Sequence, residues 1–395
     1  MAGRQTMAGI IVERIVAEAL QSGARAFHDP PRRILLACTQ RIGDVLLATP
    51  LARSMKRAWP AAALDMLVFG DTEAVLDGNP DINRVIAVPR RAGLRERYQE
   101  LRRLWRRYDL ALSPLPTDRS RLYCWAAANK RIGLLRPGRQ ERAKSLLLSA
   151  WGEFDDLDTH TVAMGLRLTD LLGIPPSFEV VPPGLSAARV DALLAKLLPL
   201  QGKSYAVLHP YPKFAYKMWT REAWLELANW LQGRGLALAF TGGPAPEERA
   251  YVGDIALRAG GLDLSGSLSL AETAELIRRA VLYVGPDTAV THIAAATGAP
   301  TIALFGPSNP VKWGPWPRGW ASFESPWGRR GSGRRGNVFL VQGPGECVPC
   351  MQEGCERNVA SGSECLRRLG AGQVVLAAEA LLQAPAWATD SNCSR

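Results

Sequence analysis

Two runs of alternating strand-like and helix-like segments, separated by paired prolines, constrain this chain more than any other feature. In the first run an apolar stretch at 34–37 leads into a glycine turn and a helical pattern over 44–58. Strand patterns follow at 64–69 and 84–88, then an arginine-rich helix, a strand at 109–112 and a helix near 119–129. The alternation then stops. Residues 173–186 read GIPPSFEVVPPGLS, with four prolines in two pairs. Proline lacks an N–H and fixes φ, so this stretch predicts an extended connector. The second run predicts strands at 205–208, 236–240, 262–264, 281–284 and 300–305, and helices at 221–231, 245–259, 270–280 and 288–297. Repeated strand–helix alternation means parallel sheets covered by helices. The chain is therefore expected to be α/β, with two Rossmann-like doubly wound domains facing a central cleft, and with ligands at the carboxyl ends of the strands. Residues 318–345, rich in Gly, Arg and Ser, predict a mobile insert, and residues 374–382 a final helix.

Composition excludes several classes. Of the 395 residues, 47% are apolar and 22% charged, the balance of a chain with a substantial core. No apolar run reaches the length of a membrane span. The N-terminus lacks the apolar stretch and cleavage site of a signal peptide, so the chain is expected to be cytoplasmic. The net charge is +11. Such an excess suits an acidic partner: a nucleotide diphosphate, a nucleic acid or an anionic membrane. Residues 90–107 carry eight Arg against two Glu, and Leu94, Leu101, Leu104 and Trp105 fall on one stripe of a helix that could rest on lipid headgroups. The arginines elsewhere are spread over both halves without interleaved aromatic residues, so no nucleic acid is expected.

Five constellations carry candidate chemistry. In RIGDVLLATP, Gly43 permits a tight turn and Asp44 sits at or near a helix N-cap after the first strand. A carboxylate there is either a cap or a reacting group in the cleft. In GPDTAVTHIAAATGAP a strand enters a Gly-Pro turn and a helix begins near Thr288. The free N–H groups and dipole of a helix start bind phosphate. His292 lies one turn on, over Thr288, and Asp287 suits sugar hydroxyls better than phosphate. In HPYPKFAYKMWTREAW, Lys213 or Lys217 can neutralise a diphosphate. Gly242 and Gly243 follow a strand and allow close backbone approach, and Asp263 ends another strand where an acid can hold ribose hydroxyls. The fifth is the spacing C-x2-C-x4-C-x9-C of Cys347, Cys350, Cys355 and Cys365, a candidate tetrahedral site for a structural zinc or iron. There is no G-x-x-x-x-G-K-[ST], no H-E-x-x-H, no G-x-S-x-G and no G-x-G-x-x-G after the first strand.

With these residues in place the chain resembles the ADP-heptose:lipopolysaccharide heptosyltransferases, glycosyltransferase family 9. The likeness runs from about residue 33 to 382. It rests on RIGDVLLATPLARSMKRAWP, YDLALSP, KRIGL, KMWTREAW, FTGGP, LDLSGSLSL, GPDTAVTHIAAATGAP and TIALFGPSNPVKWGPW. The C-x-P-C segment resembles a tail found in part of the family. The resemblance implies the GT-B fold; ahead of it, an N-terminal extension helix is expected over 1–32. It implies an acceptor domain over 33–185, a nucleotide-sugar donor domain over 186–345, and a cysteine-containing tail with a C-terminal helix over 346–395. It implies inverting transfer of heptose from ADP-heptose to a sugar hydroxyl of the lipopolysaccharide core on lipid A, with no cofactor required, at the inner face of the cytoplasmic membrane of a Gram-negative bacterium. Asp44 would be the general base. Lys217, rather than Lys213, would bind the diphosphate together with Thr288 and His292. Lys217, His292 and the helix start would supply the positive charge. Asp287 would contact the heptose hydroxyls and Asp263 the ribose. The family usually has glycine after the Asp-Thr pair where this chain has Ala289. A different acceptor, protein or another glycan, or a changed sugar-nucleotide donor is the alternative.

Overall fold

The computed structural model describes residues 30–383. The expected extension helix falls almost wholly on residues 1–29, outside the described part. The chain packs as two units. The first ends at Val180 and also takes in Ala321–Glu324; the second is Val181–Trp320 with the residues from Ser325 onward.

The first unit is built on six parallel strands: β1 (Arg33–Cys38), β2 (Ala63–Phe69), β3 (Arg84–Val88), β4 (Leu110–Ser113), β5 (Lys130–Leu135) and β6 (Ala150–Glu153). Their order is β3-β2-β1-β4-β5-β6. Its helices are α1 (Ile42–Leu47), α2 (Thr49–Ala58), α3 (Leu94–Leu104), α4 (Asp118–Ala127), α5 (Arg139–Ala143) and α6 (Thr161–Leu172). The single helix expected over 44–58 is two helices. Pro50 has no N–H for the carbonyl of Leu46, and the Thr49 hydroxyl donates to that carbonyl instead at 2.7 Å. On one sheet face Leu35, Ala37, Leu67 and Phe69 pack against Leu104 of α3 and Tyr123 and Cys124 of α4.

The second unit adds α7 (Ala187–Lys196), β7 (Tyr205–Leu208), α8 (Arg221–Gly233), β8 (Ala237–Phe240), α9 (Pro246–Arg258), β9 (Leu262–Asp263), α10 (Leu270–Arg279), β10 (Leu282–Pro286), α11 (Ala289–Thr297), β11 (Thr301–Phe305), α12 (Pro310–Trp313), β12 (Gly333–Arg335), β13 (Val338–Gln342), α13 (Glu364–Arg367) and α14 (Ala371–Leu382). The strand order is β12-β13-β11-β10-β7-β8-β9, parallel except for the β12–β13 pair. Side chains alternate between two covered faces. Ala206 and Leu208 pack with α8, α9 and α14, while Tyr205 and Val207 pack with α7, α10 and α11. Such strands read as continuous apolar runs because both faces are buried.

The mobile insert expected over 318–345 is corrected. β13 pairs in parallel with β11 from Thr301↔Val338 to Phe305↔Gln342, and Val338, Leu340 and Val341 are buried. Asn337 holds the strand entry by donating to the carbonyls of Ala295 and Ala299, both at 3.0 Å. Five strand residues hidden among arginines and glycines were invisible to composition.

Candidate active site

Each sheet has one point where the strand order reverses: between β1 and β4 in the first unit, between β7 and β10 in the second. Loops diverge there and leave a crevice beyond the carboxyl ends of the strands. Asp44 follows β1, Lys217 follows β7, and Asp287, Thr288 and His292 follow β10.

In the first unit Asp44 is the third residue of α1, not its cap. Arg41 is the N-cap, and its backbone N–H donates to Asp44 Oδ2 at 3.2 Å, the carboxylate half of a capping box. Asp44 is buried at the start of a helix, where unpaired amides favour negative charge. Cys38, at the end of β1, is fully buried; burial first, and the Asp44 charge second, push its thiol well above the ordinary range. That sulfur is no nucleophile at neutral pH. The chemistry of this pole is that of a single carboxylate.

The second unit gathers more groups. Lys217 closes a short turn, Ala215–Lys217, and its Nζ donates to Asp287 Oδ2 at 2.5 Å and to the Asp287 carbonyl at 3.3 Å. Ser308, in the loop after β11, donates its hydroxyl to the same Oδ2 at 2.6 Å. Burial would raise the Asp287 carboxyl. The Lys217 ammonium and the Ser308 bond outweigh it and hold the group below the usual carboxylate range. His292 is buried one turn into α11, and burial pushes its imidazole down to about 4 against the pull of Asp287. Its Nδ1 has no hydrogen-bond partner. The expected positive charge on His292 is thereby corrected. The ring is neutral at pH 7 and offers an N–H, not a cation, because no water solvates a proton there.

The turn that presents these groups is tightly fixed. Thr291 donates to the Pro286 carbonyl at 2.5 Å and meets the Tyr283 hydroxyl at 3.0 Å. A Cβ on Gly285 would stand 2.2 Å from that hydroxyl, so glycine is required by close approach. Thr288 is the N-cap of α11, but its side chain makes no cap bond; its Oγ1 lies 3.3 Å from Thr291 Oγ1. Ala289 is the first helical residue and half-buried. Two residues of this pole went unassigned by sequence reasoning. Ser308 lies within TIALFGPSNPVKW, where a hydroxyl followed by Asn-Pro was the available signal. His209 directly follows β7, buried, with Nδ1 3.1 Å from Thr241 Oγ1 and its imidazole also driven down to about 4 by burial.

Other expected members stand apart. Gly243 donates its N–H to Glu248 Oε1 at 2.6 Å, so the glycine loop is closed by its own carboxylate. Gly242 accepts from the Gly266 amide at 2.9 Å. Asp263 is exposed at the end of β9, two strands from β7, and its Oδ1 accepts from the Ser265 amide at 2.9 Å. The four-thiolate metal centre is corrected as well. Among the described residues no group of three or more His, Cys, Asp or Glu is arranged to hold a metal ion. Cys365 is buried on α13 against Gly306, its thiol pushed up to about 11 chiefly by burial. Cys347 and Cys355 are exposed, and Cys355 Sγ accepts from the Glu364 amide at 3.3 Å. Burial is the chief cause of the raised Cys365 thiol, and the three other cysteines of the cluster add to it.

Residues 98–325 match the profile of glycosyltransferase family 9 (heptosyltransferase). The chain is 30% identical over 294 residues to lipopolysaccharide heptosyltransferase 3 of Escherichia coli K12, covering 69% of this chain and 82% of that protein. It is 28% identical over 381 residues to lipopolysaccharide heptosyltransferase 1 of Pseudomonas aeruginosa, covering 89% and 99%. The solved structure of E. coli heptosyltransferase WaaC with ADP superposes with a TM-score of 0.66 at 21% identity, over 88% of this chain and 99% of that one. That likeness shows the GT-B fold.

Proposed function

Since the chain belongs to glycosyltransferase family 9, we propose that it transfers heptose from ADP-heptose to a sugar hydroxyl of the lipopolysaccharide core, with inversion at the anomeric carbon. The observation that carries this reading is the buried Lys217–Asp287–Ser308 knot beside the unpartnered His292 Nδ1, at the start of a helix without a side-chain cap. Both relatives described above are lipopolysaccharide heptosyltransferases, which supports the donor and acceptor class.

In this reading Asp44 takes the proton of the acceptor hydroxyl as that oxygen attacks the anomeric carbon. The bond from that carbon to the diphosphate oxygen breaks, and ADP leaves with developing negative charge. Lys217 supplies the cation, the first amides of α11 supply dipoles, and neutral His292 donates one N–H. Asp287, fixed by Lys217 and Ser308, keeps lone pairs for heptose hydroxyls. Thr288 and Ala289 line the diphosphate, and Gly242, Gly243 and Asp263 form the outer, nucleoside side. Turnover takes place in the cytoplasm of a Gram-negative bacterium, with peripheral contact to the inner face of its membrane; no described helix is long and apolar enough to cross one. Ala289, in the family's usual glycine position, is the feature that favours the second reading, a changed sugar-nucleotide donor.

The test is product analysis by mass spectrometry. Purified protein is given ADP-heptose or other sugar nucleotides, with truncated core oligosaccharides as acceptors. Addition of one heptose from ADP-heptose supports the reading. Transfer from another sugar nucleotide alone replaces the donor, and transfer only to a protein or unrelated glycan replaces the acceptor.

A further inference from the structure

We propose that the outer helical layer of the first unit, formed by α3, α4 and the segment 139–147, is a docking surface for an anionic lipid bilayer. It rests on the glycosyl-transfer reading only for the expectation that the acceptor is lipid-borne. The surface itself stands on charge and exposure.

The charge of the chain is not spread evenly. Residues 90–151 hold sixteen Arg and Lys against five Asp and Glu, a net of +11, which is the whole excess of the protein. Everything outside that stretch sums to zero. The stretch covers three successive crossovers, β3–α3–β4, β4–α4–β5 and β5–α5–β6. Right-handed crossovers put all three on one face of the sheet. Side-chain contacts weld them into one layer. Trp105 meets Trp125 edge-on, with ring centroids 5.3 Å apart. Tyr123 of α4 donates its hydroxyl to Glu100 of α3 at 2.5 Å, and Arg97 joins the same pair. Arg121 of α4 reaches Glu141 of α5 at 2.8 Å.

The outside of this layer is unusual for a surface in water. Leu94 is 93% exposed, Leu146 86% and Tyr98 65%, with Trp105 and Leu147 also exposed. Around them Arg91, Arg95, Arg102, Arg103 and Arg107 are exposed, and none forms an ion pair with another described residue. Bare aliphatic side chains beside arginines that form no ion pair fit an interfacial surface, where apolar tips enter the acyl boundary while arginines reach lipid phosphates. A nucleic acid would use the arginines but has no use for Leu94 and Leu146, so charge and apolar exposure together favour the bilayer.

The test uses the full chain in vesicle co-sedimentation, with phosphatidylcholine vesicles against phosphatidylcholine–phosphatidylglycerol vesicles. The expected result is binding to the anionic vesicles at least about tenfold stronger than to the neutral ones, weakening with salt. Arg102→Glu with Arg103→Glu should abolish the preference. Leu94→Glu with Leu146→Glu should weaken binding about tenfold, including at high salt where charge is screened. All four positions are exposed, so thermal melts should match the parent, and transfer to a short lipid-free acceptor should be unchanged. Equal binding by parent and variants, or no anionic preference, overturns the proposal. So does a duplex DNA that binds tightly and displaces the vesicles. Transfer to the lipid-free acceptor without vesicle binding sinks the docking surface alone; vesicle binding without any transfer sinks the glycosyl-transfer reading alone.

Discussion

The two sheets share one strand order around their reversal points, yet the turns they present there differ in chemistry. The first unit offers a six-residue helix whose only acidic first-turn residue, Asp44, spends one oxygen on the Arg41 amide. The second offers a nine-residue helix with a lysine, a carboxylate, a hydroxyl and an imidazole converging on its start. The contrast teaches that topology supplies a location and side-chain pairing supplies a role. A proton acceptor needs a carboxylate that can meet the acceptor hydroxyl. A site for a departing diphosphate needs fixed donors and a cation, held so that they do not reorganise during the reaction.

The sharpest way to break this contrast is to remove the base. Asp44→Asn should lower transfer by about 10²–10⁴-fold while ADP binding, measured by calorimetry, is kept. Near-normal turnover would strip Asp44 of its role. Next comes the buried pair. Lys217→Met leaves Asp287 charged and unpaired, and should cost roughly 3–5 kcal/mol in urea unfolding. Adding Asp287→Asn should restore much of that stability but not donor binding. A double variant no more stable than the single one would mean that the two groups are not coupled.

The neutral histidines make the second pole acid-sensitive. His209 and His292 titrate near 4 in the folded protein against an ordinary 6.5. The unfolded chain therefore binds more protons between those values, so stability rises with pH across the window. It is complete above about pH 6.5 and is lost as pH falls toward 4, by roughly 3 kcal/mol for each histidine. His292→Gln and His209→Gln should each flatten the profile measured by denaturant unfolding. A profile left unchanged by both substitutions would remove the burial argument. The smallest effect is expected at Ala289→Gly. At the first helical turn this exchange should change stability by under about 1 kcal/mol, and donor affinity by no more than about threefold. A tenfold gain for a different sugar nucleotide would instead mark Ala289 as the donor selector.

Legibility varied along the chain for reasons that can be named. β7 and β10 were readable because four or five adjacent apolar residues buried on both faces leave an unmistakable run. β13 was hidden because its VFLVQ is flanked by Gly and Arg, and its partner β11 lies more than thirty residues earlier. β5 was hidden by its charged entry, Lys130 and Arg131, and β6 by its four-residue length and charged end at Glu153. At the second pole, Asp287, Thr288 and His292 are neighbours along one turn of chain, so spacing alone exposes their common face. Lys217 lies 70 residues earlier, and only the resemblance singled it out over Lys213.

What could be written down before folding was local: period-two and helical patterns, proline breaks, a glycine before a carboxylate, a threonine at a helix start. These depend on steric and rotational preferences within a few residues. The packed chain settled the rest. It turned His292 neutral, closed Gly243 with Glu248, tied Lys217 to Asp287, and drew an arginine-flanked segment into a sheet. Charge state and coordination follow distance and desolvation, which are set by residues far apart in the chain and have no signature in spacing.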